Sequence, residues 1–169
     1  MPIIELSLGW LLIVNIAAWM FFHLFISYVT VNLPVSLFKK DRWLYHIKKW
    51  EKNGLFWEKL FAMKRWKEKI PDGTKLLGMG FNKSFSFTKE DDYFERYIQE
   101  SRRAEFTHWL SILPAFLFFL WNPLWAGWIM ILYALIINIP IIIVQRYNRP
   151  RFQRILNRKA QKTIMSKKS

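Results

Sequence analysis

The chain has 169 residues, 53% of them hydrophobic and 18% aromatic, with a formal charge of +14 and no cysteine. Its length allows one domain at most, and its aromatic content excludes a disordered basic tail, which lacks the apolar surface to fold or insert. The lack of cysteine excludes a disulfide scaffold, a thiolate metal site and a cysteine nucleophile. A cytosolic nucleic-acid binder explains the charge but not the apolar runs, whereas a membrane protein with basic cytosolic segments explains both, so no nucleic-acid partner is expected.

The charge is segregated along the chain. Residues 1–31 carry Glu5 and no Lys or Arg, and residues 32–108 carry 17 Lys/Arg against 11 Asp/Glu. Residues 109–145 carry no formal charge, and residues 146–169 carry nine Lys/Arg and no acid. A bilayer imposes such a pattern, because an ionised side chain at its centre costs at least ~2.5–3.5 kcal/mol.

The first apolar run, about residues 6–31, is long enough to span ~30 Å of hydrocarbon. It has no basic leader region and an acid near its start, so it reads as a retained helix and not as a cleaved signal. Residues 32–104 form a cytosolic, interfacial region. In it Trp43, Trp50, Phe56, Trp57, Phe61, Met63, Trp66 and Ile70 interleave with lysines on both sides of a break at Asn53-Gly54. Such mixing suits amphipathic helices in the headgroup layer, with rings in the acyl boundary and ammonium groups toward anionic lipid. Pro71-Asp72-Gly73 reads as a turn. Residues 74–90, with Gly78, Gly80, Phe81, Phe85 and Phe87, read as a short hairpin or ordered loop. Asp91-Asp92 mark a helix N-terminus.

The helix that follows carries the stripe Phe94, Tyr97 and Ile98, which continues through Ser101, Ala104, Glu105 and His108. Ionisable groups entering a membrane must pair, and are functional candidates by default. Glu105 and His108, three residues apart, can touch. The uncharged stretch after them is too long for one span. Asn122-Pro123, flanked by Trp121 and Trp125, reads as its turn, giving a hairpin of about 105–121 and 124–144. Counting helical rise from that turn sets His108 level with residues 137–138, Glu105 near 140 and Ser101 near 144–145. Asn138 and Gln145 lie at those levels, with Arg146, Asn148, Arg149 and Arg151 just beyond. Residues 146–169 form a basic cytosolic tail, whose end, 158–169, reads as solvated and lipid-facing. The expected protein is an all-α integral membrane protein of the cytoplasmic membrane. It is a single membrane domain, 1–169, with three transmembrane helices, the N-terminus outside and the C-terminus in the cytoplasm.

His108 is the expected general base, since histidine titrates near neutrality unaided. Glu105 is expected to orient its imidazole, as a carboxylate does in hydrolytic triads. Asn138 or Ser111 is expected to hydrogen-bond an oxyanion or substrate, with Ser101, Gln145 and Asn148 as further substrate-binding groups. Arg146, Arg149 and Arg151 are expected to hold an anionic donor. There is no Gly-x-Ser-x-Gly elbow and no Gly-rich phosphate loop, so direct attack by an acceptor hydroxyl is expected, without a covalent enzyme intermediate. Two plainer readings stay open: Glu105 and His108 as a structural pair, and the arginines as positive-inside anchors. No metal is expected: the chain has a single Glu-x-x-His, and His23 and His46 fall in distant sequence contexts.

The blocks Trp-Glu-Lys-Asn-Gly-Leu-Phe-Trp-Glu-Lys (50–59), Lys-Arg-Trp-Lys-Glu-Lys-Ile-Pro-Asp-Gly (64–73), Glu-Arg-Tyr-Ile-Gln-Glu-Ser-Arg-Arg-Ala-Glu-Phe-Thr-His-Trp (95–109) and Asn-Ile-Pro-Ile-Ile-Ile-Val-Gln-Arg-Tyr-Asn-Arg-Pro-Arg (138–151) carry a resemblance. With Ser-Ile-Leu-Pro (111–114) and Trp-Asn-Pro (121–123), the chain from about residue 32 onward resembles the glycosyl-4,4′-diaponeurosporenoate acyltransferase family. The first span resembles it only in hydrophobicity. The resemblance implies esterification of a fatty acyl group onto the glucose 6-hydroxyl of a glycosylated C30 carotenoid, the last step of staphyloxanthin biosynthesis, at the cytoplasmic membrane. It implies a fatty acyl donor, acyl-CoA or acyl-carrier protein, and no further cofactor. Two alternatives stay open: a non-catalytic membrane scaffold associated with other enzymes of the pathway, and acyl transfer to another membrane glycolipid.

Overall fold

The computed structural model of the chain describes residues 2–61 and 90–166. Among these, all regular structure is helical. Helix α1 spans Leu8–Asn32 and α2 Leu55–Phe61, α3 spans Glu90–Ile112 and α4 Leu124–Ser166. Three 3-10 helices lie between them, at Val35–Phe38, Lys49–Gly54 and Leu113–Leu120. The turn expected at 71–73 and the hairpin or loop expected at 74–90, together with Met63, Trp66 and Ile70, lie outside the described residues except for Glu90, which opens α3. The chain divides into two compact units, Met1–Leu33 with Phe106–Ile142, and Pro34–Glu105 with Ile143–Ser169.

The first unit is built on α1, which contains no charged residue and ends where Leu33, ahead of Pro34, turns extended. Its core gathers Trp19, Ala115, Phe118 and Ala134. The Trp19 ring stacks on Phe118 at 4.6 Å between centroids, and its indole N–H reaches the Met130 sulfur at 3.3 Å. Away from this core Trp10, Ile13, Ile16, Met20 and Ile136 are exposed. So many large apolar side chains facing outward are what a lipid solvent covers. Helices α1 and α4 are both long and apolar enough to cross a membrane.

The third expected span is helical in two modes. Pro114 has no N–H to give, and its ring opposes the carbonyl four residues earlier, so α3 stops at Ile112 and a 3-10 helix takes over. The turn expected at Asn122-Pro123 is held by a reciprocal amide pair. Asn15 Nδ2 donates to Asn122 Oδ1 at 2.9 Å, and Asn122 Nδ2 donates to Asn15 Oδ1 at 2.8 Å. The Trp121 indole adds a donor to Asn15 Oδ1 at 2.7 Å. A buried amide is costly unless paired, and these two satisfy each other.

In the second unit the break expected at Asn53-Gly54 is a left-handed stretch: φ is 47° at Lys52, 55° at Asn53 and 87° at Gly54. It reverses the chain into α2. Gly54 sits against the backbone of α4, where an added Cβ would lie 3.0 Å from the Tyr147 carbonyl oxygen. Trp50, Phe56 and Trp57 pack edge to face around this turn. Farther along, Tyr97 and Phe152 join α3 to α4 at 4.0 Å between ring centroids. The helix expected to end near Val144 runs on as α4 to Ser166, so the basic tail is helical over its described length. Arginines on it donate to the carbonyls one turn back, Arg151 to Tyr147 at 3.1 Å and Arg154 to Pro150 at 3.2 Å.

Candidate functional site

The second unit buries an ion cluster of Glu51, Glu105, Arg146 and Arg149. The left-handed turn after Lys49 brings Glu51 inward, where its side chain is fully buried. Arg146 grips it bidentately, with Nε on Oε2 at 2.9 Å and Nη2 on Oε1 at 2.5 Å. The same guanidinium donates through Nη1 to Glu105 Oε1 at 2.6 Å and to the Leu44 carbonyl at 3.1 Å, and through Nη2 to the His46 carbonyl at 3.0 Å. All five N–H bonds of Arg146 are thereby used. Glu51 also accepts from the Trp57 indole at 2.8 Å and the Lys48 backbone at 2.9 Å. Burial pushes its carboxyl up, but the hydrogen bonds from Arg146, Trp57 and Lys48 outweigh burial and hold it below the usual carboxylate range. The other oxygen of Glu105 takes Arg149 Nη2.

In the first unit, His108 on α3 meets Asn138 on α4, Nδ1 to Oδ1 at 2.8 Å. The roles in this bond follow from the amide's second contact. Asn138 Nδ2 faces the Ala134 carbonyl at 2.9 Å, which only accepts, so Oδ1 faces the imidazole. His108 Nδ1 therefore carries the proton and donates. Nε2, with its lone pair, makes no hydrogen bond to a described residue. Beside this pair Thr107 donates to Thr30 at 2.9 Å, and Thr30 to the Ile26 carbonyl at 2.8 Å.

Several expected roles change on this geometry. Both Glu105 oxygens go to arginines, and His108 takes Asn138; the expected Glu105–His108 orientation is thus replaced by an amide one. Arg146 has no N–H left for a donor substrate. Arg151 lies over the Tyr147 ring at 3.4 Å. The Ser111 hydroxyl donates to the Thr107 carbonyl at 2.8 Å, leaving its oxygen only to accept. Gln145 and Asn148 are half-buried. Ser101 is buried and its hydroxyl has no partner among the described residues. His23 stacks on Trp19, with ring centroids 5.2 Å apart. His46 pairs with Asp41 at 3.0 Å. The sequence reasoning missed Glu51 and Arg102. In a lysine-rich stretch Glu51 looks like any solvated acid; its signal is its place two residues before Asn53-Gly54, where a turn can carry a side chain inward.

The family whose model matches the chain, over residues 41–158, is described as glycosyl-4,4′-diaponeurosporenoate acyltransferase. The matched stretch contains the ion cluster, His108 and Asn138. The curated protein of that name from Staphylococcus aureus strain Newman is 40% identical over 147 residues, covering 85% of this chain and 88% of its own. Its namesakes from strains MRSA252 and bovine RF122 are 40% and 39% identical over 138 residues, 82% of this chain and 83% of theirs. No solved structure matches the chain.

Proposed function

Because the chain belongs to the glycosyl-4,4′-diaponeurosporenoate acyltransferase family, we propose that it is a membrane O-acyltransferase that esterifies the glucose 6-hydroxyl of a glycosylated C30 carotenoid. The observation that carries the catalytic reading is the orientation of His108. Its Nδ1 proton is committed to an amide oxygen that is itself fixed by Ala134, which leaves Nε2 as a proton acceptor. A histidine held by an asparagine oxygen serves the same end in Cys-His-Asn proteases.

In the proposed reaction Nε2 takes the proton of the sugar hydroxyl as its oxygen attacks the carbonyl carbon of a fatty acyl thioester, acyl-CoA or acyl-carrier protein. The tetrahedral intermediate collapses, the carbon–sulfur bond breaks, and the leaving thiolate takes the proton back from the imidazolium. No residue is acylated on the way. Asn138 keeps one amide N–H beyond its bond to Ala134. We assign to it the hydrogen bond to the oxyanion or sugar, in preference to Ser111, whose hydrogen is spent on Thr107. The Glu51–Glu105–Arg146 cluster acts by fixing the fold around Arg149.

The proposed topology has three crossings, with the N-terminus outside and both basic segments in the cytoplasm. Its support is the charge pattern and the length of the middle crossing. Helical at ~1.5 Å per residue to Ile112 and 3-10 at ~2.0 Å per residue to Leu120, the run from Phe106 reaches about 26 Å, near the ~30 Å of a hydrocarbon core.

Purified protein given acyl-CoA and the glycosylated carotenoid should yield a product heavier by one acyl group, read by mass spectrometry. His108→Ala should lower that yield at least about 100-fold while inserting normally. Turnover like wild type in that variant removes His108 from the chemistry. A wild type that makes no ester overturns the catalytic reading in favour of a scaffold.

A further inference from the structure

The second unit buries three guanidiniums, of Arg102, Arg146 and Arg149, against two carboxylates, of Glu51 and Glu105. Asp41 answers part of the excess, accepting from Arg102 Nη2 at 3.3 Å, but its own side chain is half exposed. Arg102 Nη1 goes to the carbonyls of Phe38 at 3.0 Å and Lys39 at 2.7 Å. What remains is a set of donors with nothing to donate to. Arg102 Nε, Arg149 Nε and Arg149 Nη1 are all buried without a hydrogen-bond partner among the described residues, and so is the Ser101 hydroxyl.

An unmade hydrogen bond on a buried charged group is costly, and native interiors rarely leave several together. Arg102 shares the face of α3 that carries Glu105, three residues on, and Glu105 takes Arg149. Burial, eased by Asp41, and then the charge of Arg149 hold the Arg102 guanidinium below the usual arginine range. Like charges gathered with their N–H bonds unfilled describe the recognition surface of an oxyanion with several acceptor oxygens. Ser101 belongs to the same patch: it lies one helical turn before Glu105, which Arg149 touches. Arg102 also lines an open groove of about 380 Å³ with Lys39, Glu95, Ile98, Gln99 and Gln153. Two cations and two amides against one carboxylate give that groove the same preference.

We propose that Ser101, Arg102 and Arg149 form a phosphate-binding site entered from the Lys39–Gln153 groove. The site stands on the unfilled donors alone; it rests on the acyl-transfer reading only where the phosphate is taken to be that of the acyl donor. The same chemistry would hold a phospholipid headgroup, and binding tells the two apart.

The test uses the full chain, purified in non-ionic detergent free of phosphate and titrated with inorganic phosphate, coenzyme A, or phosphatidylglycerol in nanodiscs. Wild type should bind inorganic phosphate. Arg102→Gln should weaken binding at least about tenfold, and Ser101→Ala about threefold to tenfold. Coenzyme A binding tighter than phosphatidylglycerol assigns the phosphate to the acyl donor; the reverse order assigns it to lipid. His108→Ala should retain the affinity of wild type, so the site and the catalytic reading fail separately. Should Arg102→Gln fold poorly, Ser101→Ala, which removes one hydroxyl, still decides. No binding of any probe by wild type, or affinities unchanged in both variants, overturns the proposal.

Discussion

Arg146 spends every N–H it has, and two of its five go to a carboxylate that is fully buried. Removing the charge of Glu51 strands those donors in the interior, a change that costs about 3–5 kcal/mol when one partner of a buried pair is lost. Glu51→Gln should therefore lower the melting temperature of the detergent-purified protein. The acid limb of the stability profile gives a second reading of the same residue. Its folded carboxyl lies below the ordinary range, so its contribution is whole above the unfolded value of about 4.3 and fades as pH falls through the folded value. Melting temperatures followed from pH 7 to pH 3 should fall more steeply below about pH 4 in wild type than in Glu51→Gln. Parallel acid slopes would remove Glu51 from the stability of the fold. Residues such as this one mark where reading the sequence stops. Asn138 was found opposite His108 by counting helical rise from one turn, because both lie on regular helices flanking that turn. The partners of Glu105 were not, because the nearest group along the helix is His108, while the guanidiniums that take the carboxylate stand more than 40 residues away.

Among the elements, apolar runs and the Asn122-Pro123 turn were legible, since length and proline chemistry act locally. Two features were not. Pro114 changes the helix type without ending the helical run, and a proline in the sequence does not tell a 3-10 continuation from a stop. The continuation of α4 past residue 144 depends on helix-forming Arg, Gln and Lys, which charge alone presents as a solvated tail. The break at Asn53-Gly54 was legible as a break, yet its consequence was not: three left-handed residues that deliver Glu51 to Arg146 and lay Gly54 on the α4 backbone. Gly54→Ala must hold φ at 87° with a side chain and press a methyl to 3.0 Å from a carbonyl oxygen that cannot swing away. It should cost about 2 kcal/mol or more. Gly9→Ala is the control: nothing lies within 4 Å of a Cβ there, and the residue is helical. It should leave the melting temperature unchanged or raised, by up to ~1 kcal/mol in stability. Equal losses in the two variants would mean that the Gly54 contact is not what the turn needs.

For the whole molecule the open quantity is the number of crossings, and parity decides it. Helices α1 and α4 alone would return the chain to the side it started from; a third crossing between them sends the C-terminus to the opposite side. The charges argue for the third. Residues 146–169 carry nine cations and no acid, and residues 32–108 carry an excess of six. With two crossings one of these segments faces outward, against the bias that keeps Lys and Arg in the cytoplasm. With three, both stay inside, and the uncharged run from Trp109 to Leu120 supplies the extra passage. A green fluorescent protein fused after Ser169 should fluoresce, and alkaline phosphatase at the same position should be inactive, since each works on one side only. Active phosphatase with a dark fluorescent fusion would overturn the topology of three crossings with the N-terminus outside. It would also place the arginine-rich end of α4 outside the cell, away from any cytosolic acyl donor.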